Sequence, residues 1–205
     1  MTSLGKGLRE KLPTLARIDE PKVVAAPRST DGTRKLLLEL EDGERIEAVT
    51  IPDADRVTLC VSTQVGCALA CTFCATGVLG FKRNLRPHEV VDQLLVAERH
   101  VKKDQEEAGF KADRGITNVV LMGMGEPLVN ADAVAQAIAI WTAREGLDFS
   151  RHRITLSTVG ILPKLWPFLE KTGVNLAVSL HASNPELRAG LMPIDKAYGM
   201  DDVLA

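Results

Sequence analysis

The chain has 205 residues, 25 Lys and Arg against 27 Asp and Glu, and 45% hydrophobic residues. These globular proportions exclude a disordered chain, a collagen and a coiled coil, and the length allows one or two domains with a real core. No apolar run approaches the ~20 residues needed to span a bilayer, and the N-terminus lacks the apolar stretch of a secretory signal. The expectation is therefore a cytoplasmic protein without membrane contact. Four cysteines form no disulfide framework, and in a reducing compartment clustered thiols point to metal binding or chemistry.

Residues 4–12 read as a short amphipathic helix limited by Pro13, and 13–33 as a connector. Residues 35–40 and 45–51 are apolar or β-branched runs around Glu41-Asp42-Gly43-Glu44, which predicts a β-hairpin. Pro52 to Asp55 should break its second strand. Val57–Ser62 reads as a strand leading into the cysteines. Pro87 opens a helix, as proline suits a first turn. Strands follow at 116–122, 153–158 and 174–180, alternating with helices at 130–144, 163–171 and 185–191. Alternation of this kind implies parallel βαβ units, and near-continuous apolar strands fit a barrel wall or a sheet covered on both faces. The units expected are residues 1–33 as a helical remnant and linker, 34–56 as the hairpin, and 57–205 as the βα region. About four βα units are present, fewer than a full barrel of ~250 residues needs. The predicted fold class is thus α/β, either a small open sheet or a partial (β/α) barrel.

Charge is uneven. Residues 1–35 carry eight basic against four acidic residues, and 36–60 carry two against seven. A basic run, Lys82-Arg83-Asn84-Leu85-Arg86, follows the cysteines. Such segments permit nucleic-acid binding, although a solvated surface explains them equally.

The strongest signal is Cys67-Ala-Leu-Ala-Cys71-Thr-Phe-Cys74 in a loop after a predicted strand. Three thiolates within eight residues can converge on one metal or cluster. A structural zinc site would want a fourth ligand, for which Cys60 lies seven residues upstream. Three cysteines on a [4Fe–4S] cluster would leave one iron open. Phe73, between the second and third cysteines, would either cover the cluster or pack in the core. Gly123-Met-Gly125-Glu126-Pro127 follows the next strand, where its glycines let backbone approach a ligand and Glu126 could accept from an amine or ribose. Ser157 and Thr158, then Ser179 and His181, end the following strands. Ligands of barrels and open sheets bind at strand C-termini, so these groups should share one rim.

The cysteine loop with the Gly-Glu-Pro turn resembles the radical S-adenosylmethionine superfamily. Residues 58–77 (Thr58-Leu-Cys60 through Gly66-Cys67 to Ala-Thr-Gly77), then 80–86, 118–128, 154–160 and 176–182, resemble in particular the 23S rRNA adenine-C2 methyltransferases, which also modify certain tRNAs. The likeness runs from about residue 35 to the end. It implies a partial radical SAM barrel preceded by the hairpin. It implies that Cys67, Cys71 and Cys74 hold [4Fe–4S], and that Gly125, Glu126, Ser157, Ser179, Leu180 and His181 bind S-adenosylmethionine. Glu47 falls at the family's proton acceptor, and Cys60 at the cysteine that resolves a protein–RNA crosslink, where a thiolate would react. Adenine C2 is electron-poor, so ordinary displacement fails there. The family uses a radical derived from the cofactor, while the protein positions and shields.

The resemblance further implies a reductant protein such as flavodoxin, 23S rRNA and tRNA as partners, and a monomer. The family's methyl-carrying cysteine and a cofactor-binding asparagine fall beyond residue 205, and only the last helix of an N-terminal RNA-binding domain is matched. The expectation is a chain truncated at both ends that binds a cluster without completing methyl transfer. A C8-adenine methyltransferase conferring antibiotic resistance shares these motifs, and a zinc-stabilised RNA-binding module without catalysis is the rival from another class.

Overall fold

Alternating burial along the strands sets the architecture. In the computed structural model, which describes residues 5–15, 20–107 and 115–205, α1 (Lys6–Leu15) and β1 (Lys22–Ala25) lead into β2 (Arg34–Glu39), β3 (Arg45–Asp53) and β4 (Arg56–Cys60). The pair β5 (Gln64–Gly66) and β6 (Phe81–Asn84) encloses α2 (Ala75–Val78). Then come α3 (Pro87–Glu107), β7 (Asn118–Leu121), α4 (Ala131–Thr142), β8 (Ile154–Thr158), α5 (Leu162–Thr172), β9 (Asn175–Val178), α6 (Pro185–Leu191) and α7 (Met200–Leu204).

Seven strands make one sheet in the order β1-β2-β3-β4-β7-β8-β9. The first three joints are antiparallel and the last three parallel. The parallel strands follow chain order with no reversal. A doubly wound sheet reverses its order and places helices on both faces, so the sequential order fits a barrel wall. Leu36, Leu38, Ile46, Ala48, Leu59, Val119, Leu121, Ile154 and Leu156 alternate into a single buried core with residues of α3, α4 and α5. The intervening residues Glu47, Cys60, Val120, Thr155 and Ser157 line the other, half-exposed face. The sheet runs without a break from the hairpin into the βα region through the pair Val49↔Cys60.

Four local differences from the sequence reading have physical causes. Helix α1 runs through Pro13 to Leu15, because proline deletes one N–H bond but its fixed φ is already helical; residue 4 lies outside the described residues. Strand β3 continues through Pro52, which pairs with Val57. Pro52 lies past the last β2 partner, Arg34↔Thr50, so one flank of the strand there has no ladder to break. The connector holds β1, an edge strand too short and exposed to leave a pattern. The β5–β6 pair was not expected at all, since its two short strands are separated by the whole cysteine loop.

The C-terminal segment is docked by Arg188, which is fully buried. It pairs with Asp195 and donates to the carbonyls of Val159 (2.8 Å) and Tyr198 (2.9 Å). Among the described residues no helix is long and apolar enough to cross a membrane.

Candidate active site

The cysteine loop is anchored at both ends. At its base β5 and β6 pair, and Cys67 N–H donates to Gly80 O at 2.9 Å. Gly66 holds φ +76°, and a Cβ there would lie 1.8 Å from Gly80 O, so only glycine closes this base. At the tip Cys74 N–H donates to Cys71 O (3.1 Å), and α2 begins at the next residue. Thr72 N–H reaches across the chain to Leu191 O at 3.0 Å.

Cys71 is buried, while Cys67 and Cys74 are half-buried. Burial pushes the Cys67 and Cys71 thiols up, and the charges of neighbouring cysteines and of Glu126 add to it. The N–H groups of Leu69 and Glu126 oppose this at Cys67. Each thiolate would sit in the field of its neighbours and of a carboxylate, so the charged forms need a strongly positive centre. Among the described residues no three His, Cys, Asp or Glu groups are gathered closely enough to hold a single metal ion. An all-thiol donor set suits iron–sulfur ligation, and the residues present fit a [4Fe–4S] cluster.

The Gly-Glu turn abuts this loop. Glu126 is 3% exposed. Its Oε1 accepts from Leu128 N–H (3.0 Å) and the Thr158 hydroxyl (2.7 Å), and its Oε2 from Val159 N–H (3.1 Å). Burial raises its pKa, and those donors work against the rise. The carboxylate thus caps the short helix Pro127–Asn130 and ties the end of β7 to that of β8. Sequence reasoning gave Glu126 an amine or ribose to bind; the structure occupies its carboxylate with protein donors.

The remaining strand ends meet one another, and His181 meets the loop. Ser157 Oγ lies 3.1 Å from Ser179 Oγ, and Ser179 N–H donates to Thr158 O at 2.8 Å. Leu180, half-buried, donates to Val178 O at 3.1 Å. His181 adopts a left-handed φ of +60°, and its ring centroid lies 4.6 Å from that of Phe73. Phe73 is 49% exposed, so it joins the cysteine loop to the end of β9 and is not a core residue.

Glu47 and Cys60 sit on the same half-exposed face of adjacent strands. Glu47 Oε1 lies 2.9 Å from Lys35 Nζ. Burial raises the Cys60 pKa, and the Met122 N–H only partly offsets it. The neutral thiol is thus favoured at Cys60, since low-polarity surroundings disfavour the thiolate that would be the reactive form.

The basic run is neutralised. Lys82 pairs with Glu44 at 2.7 Å, Arg83 with Asp42 (2.7 Å) and Glu89 (2.8 Å), and Arg86 with Glu41 at 3.8 Å. The acidic hairpin turn thus faces the basic run directly.

Sequence reasoning missed several buried polar residues here: Ser62, Gln64, Gln93 and Asn130. The Gln93 amide brackets the Ser62 backbone with bonds of 2.8 and 2.9 Å. Asn130 donates to Thr63 O and Leu85 O. The only signal was polarity at positions whose neighbours are core residues.

A model of the radical SAM superfamily matches residues 61–205. The chain belongs to the radical SAM superfamily. With that family come a [4Fe–4S] cluster and S-adenosylmethionine. The chain is 48% identical over 204 residues to the dual-specificity RNA methyltransferase RlmN of Francisella tularensis subsp. novicida, covering all of this chain and 54% of that protein. The protein of the same name from subsp. holarctica is 47% identical with the same coverage. A crystal structure of a radical SAM methyltransferase from Sphaerobacter thermophilus superposes with a TM-score of 0.85 at 41% identity, covering 99% of this chain and 58% of that one. The chain spans about half the length of the curated relatives it matches. The partial radical SAM barrel inferred from the motifs agrees with this neighbour and with the parallel strand order.

Proposed function

We propose that the chain supplies the cluster- and cofactor-binding part of an activity that methylates C2 of an adenine in 23S rRNA, and in tRNA, by radical SAM chemistry, without completing methyl transfer by itself. Cys67, Cys71 and Cys74 hold the cluster. The turn at Gly125 and Glu126, the serines Ser157 and Ser179, and Leu180 with His181 form the seat for S-adenosylmethionine. When bound, these two groups supply hydrogen abstraction from an unactivated carbon, which allows a methyl group to reach an electron-poor ring position.

The residues of the chain have separate tasks in this reading. Glu126 keeps the turn closed over the cysteine loop. Phe73 and His181, in tilted ring contact at 4.6 Å, join the cysteine loop to the strand end that carries the cofactor seat. Glu47, held by Lys35, stands ready to take a proton on the open face, and Cys60, on the same face, provides the resolving thiol. That thiol is stored protonated and gives up its proton only as it reacts. A small reductant protein such as a flavodoxin delivers the electron, and the chain works as a cytoplasmic monomer.

The observation that carries the reading is the meeting of the three-thiol loop with the Gly-Glu turn: Gln64, at the base of that loop, accepts from the Glu126 N–H at 2.9 Å, and Cys67 begins the loop three residues on. The relatives named as dual-specificity RNA methyltransferases support the choice of RNA. Reductive incubation of the reconstituted chain with S-adenosylmethionine should release 5′-deoxyadenosine and methionine. No cleavage from a cluster-loaded protein would sink the reading. Mass spectrometry of modified RNA locates the methyl carbon, and a label at C8 would replace C2 in this assignment.

A further inference from the structure

We infer that Gln64 is a positioning residue that sets the spacing between the cysteine loop and the Gly-Glu turn, an inference that rests on the cofactor sites proposed above. Gln64 is fully buried. Its Oε1 accepts from the Glu126 N–H at 2.9 Å, and its Nε2 donates to Asn84 Oδ1 at 2.7 Å. Its own N–H donates to Met124 O at 3.1 Å. Gly125 rests directly on it: a Cβ at Gly125 would lie 2.5 Å from both Gln64 Cβ and Cγ.

The loop and the turn are thus two ends of one strut. Gln64 and Asn84 are register partners in the β5–β6 pair, and the cysteine loop springs from that pair at Gly66 and Cys67. A cofactor seated between a cluster on the loop and the turn would need the separation of loop and turn to be held. A primary amide suits this position because it accepts at one end and donates at the other. An apolar side chain of the same length would orphan the buried Glu126 N–H and release the Asn84 side chain. A carboxylate would place a second charge against Glu126.

The test uses Gln64→Met, Asn84→Ala and the double variant, reconstituted anaerobically beside the unaltered chain. Iron and sulfide content should stay at the parent level. Affinity for S-adenosylmethionine should fall roughly tenfold in Gln64→Met, the loss set by one orphaned buried group. The change that S-adenosylmethionine makes in the electron paramagnetic resonance spectrum of the reduced cluster should shrink even at saturation. The double variant should lose no more than Gln64→Met alone, since both break one strut. Parent-like affinity and spectrum in a cluster-loaded Gln64→Met, or additive losses, would overturn the inference. If Gln64→Met does not fold, Asn84→Ala decides by the same two readouts, because it removes the anchor and leaves the acceptor. Failure of the parent reading is separately visible: the unaltered chain then takes up no cluster, and both ideas fall.

Discussion

The Thr158 hydroxyl donates to the Glu126 carboxylate across 2.7 Å and accepts from Gly160 N–H at 3.1 Å, although Thr158 ends β8 and Glu126 lies in the turn that follows β7. This bond closes the rim between β7 and β8. Thr158→Val keeps the side-chain shape and removes both interactions inside a buried site. The variant should lose about 1–3 kcal/mol of unfolding free energy, while Thr158→Ser should lose much less. Urea denaturation measures both. A Thr158→Val protein as stable as the parent would mean that the tie contributes nothing.

Gly66 tests the base of the cysteine loop. Alanine there meets a carbonyl oxygen at bonding distance and must also adopt a positive φ. Gly66→Ala should therefore open the β5–β6 pair and abolish cluster uptake, with the far-ultraviolet circular dichroism of the helices retained. Gly43, whose Cβ would meet nothing, is the control. Equal iron content in Gly66→Ala and the parent would contradict the anchoring described.

Asp92 gives the protein a pH dependence away from the site. It is 8% exposed and lines a cavity of about 270 Å³ with Glu20, Glu39 and Glu89 among others. Burial pushes its pKa up to about 6; His88 and Arg99 oppose the rise, and Glu20 and Glu89 add to it. The folded protein thus holds this proton more tightly than the unfolded chain. Its favourable contribution is complete below about pH 4, the ordinary aspartate range, and is lost as pH rises through 6. Asp92→Asn should flatten that limb and be the more stable protein at pH 7.5. Identical stability profiles for the two proteins between pH 4 and 7.5 would refute it.

Cys60 should alkylate slowly. Burial keeps its thiol protonated at neutral pH, so iodoacetamide should modify it more slowly than a free cysteine at pH 7, with the gap narrowing as pH rises. Peptide mapping by mass spectrometry reads the rate. Labelling faster than free cysteine at pH 7 would restore the activated thiolate.

The legibility of this protein in its sequence follows the range of each interaction. The βα alternation was readable because Val119, Leu121, Ile154 and Leu156 bury an apolar run that leaves a local pattern. The helix of residues 185–191 was placed with its observed bounds, since Asn184 caps it and Pro185 opens it. The cysteine loop and strand-end groups were readable from residue type and from the rule that ligands bind at strand C-termini. What was not readable depended on partners distant in sequence. Asp42 and Glu44 neutralise Arg83 and Lys82 across about forty positions. Gln64 meets Glu126 across sixty-two. Such pairs leave no periodicity, and burial of their polar atoms becomes visible only once the sheet has formed.

The most direct measurement is metal analysis of the chain and its cysteine variants after anaerobic reconstitution with ferrous iron and sulfide. A brown protein with about four iron and four sulfide per chain is expected, as a cubane requires. Cys67→Ala, Cys71→Ala and Cys74→Ala should each lose that content, and Cys60→Ala should keep it. A colourless chain carrying one zinc, or full iron content after any loop cysteine is removed, would contradict the account.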